Sequence, residues 1–241
     1  MIVRLVSAAL VAGFLAAVVS TGLQLALTSP LILKAETYEG QAAVPQARAA
    51  LFVPVHGDPH GEGHGSAEHW QPAPGLARMA FTGLATLVGG IGYALLLGAA
   101  MLGLRRAPTP QSGLALGIAG FVCVSLAPAV GLPPELPGMG AAALELRQLW
   151  WLMAALGTAL GLYLIVMRRT APAIAAGLVL IVAPHVAGSP LVAEADSRLP
   201  AAYAAQFAAR SLAIGFVFWA VIGLSYGWAW NLFGHRGRAR G

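Results

Sequence analysis

Residues 56–70 read HGDPHGEGHGSAEHW and set His56, His60, His64 and His69 among glycines and acids, at spacings of four, four and five. Four of the chain's six histidines fall in this stretch. Neutral imidazole suits borderline divalent ions such as zinc, copper, nickel, iron and cobalt. Asp58 and Glu62 add oxygen donors and negative potential, with Glu68 beside the last histidine. The intervening glycines let a backbone wrap until the imidazoles converge. Ordering flexible residues costs about 1–2 kcal/mol each, so the pattern predicts a labile metal collector and not a closed tetrahedral site. The competing reading is a solvated linker with idle histidines, and the density of the tract weighs against it. Because cobalt lies below nickel and copper in affinity for such donors, an open tract does not by itself select cobalt.

The elements that must carry this tract are apolar. The 241-residue chain is 58% hydrophobic and 10% charged, whereas soluble domains carry about a quarter charged residues. Too few charges remain to cover a soluble surface, so the fold expected is an all-α integral membrane protein. A membrane-crossing helix needs about 20 apolar residues. Six segments approach that length: Leu5 to Leu27, Met79 to Leu104, Leu114 to Leu132, Leu149 to Met167, Pro172 to Gly188 and Ser211 to Leu232. The fifth is the shortest, with Pro184 near its end. The expected organisation is a first transmembrane helix (1–27), an external metal-collecting loop rich in His, Gly and Pro (28–78), a five-helix bundle (79–233) and a basic cytoplasmic tail (234–241).

Direction follows from charge. With the N-terminus inside, Arg4, Arg105, Arg106, Arg168, Arg169, Arg236, Arg238 and Arg240 all flank cytoplasmic ends, as the positive-inside rule requires. All nine acidic residues then lie outside with the histidine loop. Both termini are therefore expected in the cytoplasm. A cleaved signal peptide is the alternative for the first segment, but its apolar run exceeds the usual 7–15 residues. Trp70, Trp150 and Trp151 are expected at the outer interface, and Trp228 and Trp230 at the inner one. Gly113 with Gly117, and Gly157 with Gly161, have the small-xxx-small spacing of close helix contacts.

Other polar groups gather near the outer boundary. The stretch LAPAVGLPPELPGM (126–139) surrounds Glu135 with prolines, which makes either a rigid turn or a stiff lip over a pathway. APHVAG (183–188) sets His185 after Pro184, either a ligand or a hydrogen-bonded structural group. Gln24, Arg147 and Gln148 stand where they could line the same vestibule or bond between helices. Cys123 is alone in an apolar run, as a small buried hydrophobe would be. Lys34 is the chain's only lysine and lies outside any glycine-rich loop, so no phosphate-binding loop of the ATPase kind exists. An HEXXH zinc motif is also missing, and only His185 stands ready as an intramembrane haem ligand, which argues against an enzyme. The basic residues are flanks of apolar segments, not a nucleic-acid surface. Energy must come from a gradient, another chain or the membrane potential, which favours divalent cation entry by about 4.6 kcal/mol per 100 mV.

Taken in order, TSPLILKAETYE (28–39), the histidine run, LAPAVGLPPELPGM, RQLWW (147–151) and APHVAG resemble the cobalt transporter subunit family CbtA over nearly the whole chain. The resemblance implies cobalt uptake, a link to cobalamin metabolism, and a small single-span histidine-bearing partner, CbtB. It carries Glu36, Glu39, Glu135, Arg147, Gln148 and His185 as site residues. Lys34 departs from it, since an acidic residue is expected there, and puts Glu36 in question. The resulting expectation is a permease component of a bacterial inner membrane that takes up divalent metal, with Co2+ as cargo and no resident cofactor. Its metal residues would be His56, His60, His64, His69, Asp58, Glu62, Glu135 and His185. The rival expectation is a membrane metal receptor or chaperone that does not itself conduct ions.

Overall fold

A computed structural model describes residues 1–38, 75–191 and 199–238, and every regular element among them is helical. The histidine tract, with Asp58 and Glu62, lies outside the described residues, as do Glu39 and Glu68. Helix α1 is Ile2–Leu27, and α2 covers 29–38. After α3 (Leu76–Gly103) come α4 (Pro110–Phe121), a π-helical turn (Val122–Leu126) and α5 (Ala127–Gly131), which together make one traverse. Then follow α6 (Leu144–Tyr163), a second π turn (Leu164–Arg168), α7 (Ala171–Ala187) and α8 (Ala201–Arg238).

Five of these traverses have the length and apolarity to cross a membrane. The sixth segment, α7, has 17 residues, or about 25 Å at 1.5 Å per residue, a little under the hydrocarbon thickness of about 30 Å. Its packing nevertheless runs antiparallel along α6. An added Cβ on Gly161 would meet the Gly177 carbonyl at 2.5 Å, and one on Gly157 would meet that of Leu180 at 2.7 Å. At the far end the His185 ring lies edge-on to Trp150. So α7 returns to the level at which α6 began.

The segment expected as a loop from Thr28 is helical over 29–38. Leu31 and Ala35 on that helix are buried with Leu136, against Tyr203 and Phe207 of α8. This tertiary contact orders residues that have too little apolar run to signal a span. Likewise α8 reaches well beyond the apolar run 211–232, because its first turns cover this second core.

Small residues set the bundle's spacing. Ala8, Ala9, Ala12, Gly13, Ala16 and Ala17 form the buried stripe of α1, and an added Cβ on Gly13 would lie 2.6 Å from the Ile91 nitrogen. Gly113 and Gly117 meet the backbone of α8 at Gly223 and Trp219, so the spacing read as a helix contact is one. Pro128, which cannot donate to a helical carbonyl, follows the π turn, whose wider winding relieves the clash one turn earlier. At the end that carries the N-terminus, Arg4 Nε donates to the Trp230 carbonyl at 2.8 Å and its guanidinium lies 4.3 Å from that indole. A residue expected only to set topology thus also fastens α1 to α8.

Candidate functional site

Helices α1, α3 and α8 surround a crevice of about 750 Å³ at the end of the bundle away from Arg4. Two of its walls carry polar residues four apart, which a helix stacks on one face. On α1 these are Ser20, Gln24 and Thr28, and on α3 they are Arg78, Thr82 and Thr86. Phe207 and Ser211 of α8 complete the wall, and Tyr93 and Phe218 form the floor. Beneath them Ala94, Leu97, Met101, Ile222 and Tyr226 close the bundle in its main buried cluster. The crevice is blind toward the end that carries Arg4.

An ion pair spans its mouth. Arg78 Nη1 donates to Glu36 Oε2 at 3.1 Å, and Nη2 donates to Oε1. The hydrogen bond from Arg78 holds the Glu36 carboxyl below the ordinary carboxylate range, against the opposing effect of partial burial. Lys34, the residue that departs from the family pattern, turns aside and sits 5.4 Å from the Tyr203 ring centroid. Arg210 donates to the Leu27 carbonyl at 2.8 Å, placing a cation at the C-terminus of α1, where the helix dipole welcomes one.

Deeper in, the hydroxyls are unevenly satisfied. Thr86 Oγ1 donates to the Thr82 carbonyl at 2.8 Å and stands 3.3 Å from Gln24 Oε1. Ser20 is 1% exposed, and its Oγ has no hydrogen-bond partner. Gln24 lines this crevice, apart from Arg147, with which the sequence grouped it. Ser20, Arg78, Thr82 and Thr86 were missed, although their four-residue spacing inside apolar segments was a readable signal.

The other expected vestibule residues lie in a second region, the corner of α5, α6 and α7. Glu135 accepts from Arg147 Nη2 at 3.0 Å. The proline-rich lip packs inward through Leu136, which is 3% exposed. His185 and Trp150 have ring centroids 5.8 Å apart, and neither His185 Nδ1 nor Trp150 Nε1 has a hydrogen-bond partner. Trp150, expected at the lipid interface, is 4% exposed and fills this corner; an added Cβ on Gly131 would lie 2.5 Å from its ring. Glu135 and His185 each flank α6. Among the described residues no three His, Cys, Asp or Glu side chains gather as a metal group.

A family model described as "Probable cobalt transporter subunit (CbtA)" matches residues 2–231. No curated protein and no solved structure matches the chain significantly.

Proposed function

Because the chain belongs to the CbtA family of cobalt transporter subunits, we propose that this multi-pass membrane protein is the permease component that admits Co2+ to a bacterial cytoplasm. The observation that carries the reading is the blind crevice with its mouth at Glu36 and Arg78. Residues 39–74 join α2 to Gly75, and Gly75 itself lines that mouth. Covalent continuity therefore tethers His56, His60, His64 and His69, with Asp58 and Glu62, at both ends to the crevice entrance.

In this reading the tract lies outside the cell and raises the local metal concentration. Glu135 and His185 offer a carboxylate and an imidazole beside the same outer face. A hydrated divalent ion reaching Glu36 competes with Arg78 for its carboxylate, which loosens the pair across the mouth. The floor at Tyr93 and Phe218 must then part for the ion to continue, and in this reading the crevice is the outward-facing half of the path. Both termini are cytoplasmic, which puts the arginine-rich turns on the side that the positive-inside rule demands. As a subunit the chain works with a partner, which we assign to the small histidine-bearing CbtB type. This is also the source of the proposed link to cobalamin metabolism.

Uptake of labelled cobalt by liposomes holding the full chain, with and without that partner, tests the reading. Replacing His56, His60, His64 and His69 together by Ala should lower uptake about tenfold at limiting metal and leave it nearly unchanged at saturating metal, because a collector alters supply and not the path. Metal bound but never moved would favour a receptor.

A further inference from the structure

Midway down the crevice, two acceptors lie in reach of the one Thr86 hydroxyl proton, and a further hydroxyl, that of Ser20, lines the same crevice. The Thr82 carbonyl is the nearer acceptor, at 2.8 Å. Gln24 Oε1, 3.3 Å from Thr86 Oγ1, is a second acceptor in reach of that same single proton, so whichever acceptor does not receive it keeps an unmet lone pair. Ser20 precedes Gln24 by four residues on the same helix and lines the same crevice. Its Oγ is buried and unpartnered, and an unmet polar group at membrane depth is costly.

We propose that Ser20, Gln24 and Thr86 form a binding site for a monovalent alkali cation, with sodium the best fit. A hard cation of calcium's size, as sodium is, sits about 2.4 Å from its oxygen ligands. Two oxygens 3.3 Å apart then subtend nearly a right angle at the ion, as neighbours in an octahedral shell do. Charge decides against the divalent cargo as the resident of this site. The cost of burying an ion grows with the square of its charge, about fourfold from one to two. No Asp or Glu is among the described residues lining the crevice, and the lining's one charge, Arg78, is neutralised by Glu36 outside it. Neutral oxygens can therefore hold a single charge at this depth far better than a double one. Thr86 is two turns, about 12 Å, below Arg78 along α3, so the paired guanidinium does not fill the site.

Binding stands on this geometry alone. A coupling role, in which sodium descending its gradient drives the floor open for cobalt, rests on the uptake reading. The full-length protein in nanodiscs should unfold at a temperature that rises saturably with NaCl and not with equal choline chloride, by mass action on the folded state. Gln24→Leu, Thr86→Val and Ser20→Ala should each weaken the apparent sodium affinity about tenfold, while the unfolding temperature in choline stays near that of the parent. Equal responses to sodium and choline would overturn the site, as expected if the Gln24 amide is reversed and donates to Thr86 or if only water bridges these oxygens. So would a sodium response that survives all three substitutions combined. Sodium binding lost in the variants, with cobalt immobile in every sample, would keep the site and sink the uptake reading alone.

Discussion

Arg78 meets Glu36 over an open crevice, whereas Arg147 meets Glu135 beside a corner already filled by Trp150. The two pairs share their chemistry and the same end of the molecule. They differ in what lies below. Under the first is a cavity walled by hydroxyls and an amide; beside the second is a buried indole against a glycine and a histidine ring. The same ion pair can therefore bridge a mouth in one place and brace a joint in the other. Which it does depends on whether the neighbouring helices have closed on each other. In the corner, α6 and α7 meet through glycines; around the crevice, α1 and α3 touch backbone to backbone at Gly13 and Gly90 and through side chains such as Gln24 and Thr86 farther up.

If that contrast holds, the corner should govern stability and the crevice should govern transport. Trp150→Ala is the harshest test, because it empties a buried site. It should cost about 3–5 kcal/mol, seen as a large fall in unfolding temperature in detergent. Retention of full stability would deny that the corner is a structural joint.

Two glycines sharpen the comparison. Gly131→Ala drives a methyl into the Trp150 ring and should cost about 1–3 kcal/mol by overpacking. Gly89 lines the crevice and an added Cβ there meets nothing within 4 Å. Gly89→Phe should therefore unfold within about 1 kcal/mol of the parent yet lower cobalt uptake about tenfold or more by plugging the path. Normal uptake with the plug in place would move the path elsewhere.

The ion pairs give the smallest effects. Glu135→Gln should destabilise by about 1 kcal/mol, since both partners remain partly exposed. Glu36 should be felt mainly through pH. Its carboxyl is held below the ordinary range by Arg78, so the stability that pairing supplies is fully present above the ordinary carboxylate range. That contribution is lost as pH falls through the lowered folded value. An acid unfolding limb that moves to higher pH, or flattens, in Glu36→Gln would match this sign. An unchanged limb would mean that the mouth pair adds nothing to stability.

Much of this architecture can be read one segment at a time. Apolar run lengths located the traverses, and the short fifth run proved to be the 17-residue α7. The spacing of Gly113 with Gly117 and of Gly157 with Gly161 announced seams that the helices do use. Trp150 misled because its position near a boundary suits an interfacial belt equally well, and only the hairpin of α6 and α7 turns it inward. The site was less legible. Gln24 stood out as an amide in an apolar run, but Ser20 and Thr86 did not, since a lone hydroxyl in a helix can satisfy itself on its own backbone.

The chain's order alone determined that it is helical, that it crosses a bilayer repeatedly, and where its histidine tract attaches. Hydrophobicity and helical period are properties of consecutive residues, so they survive without knowledge of neighbours. Tertiary structure decided that Glu36 answers Arg78 across 42 positions and that Gln24 meets Thr86. It also decided that Leu136 seals α2 against α8. Those facts depend on the rotation and separation of helices far apart in the chain, which are set by which small residues let the backbones touch and which larger ones hold them apart.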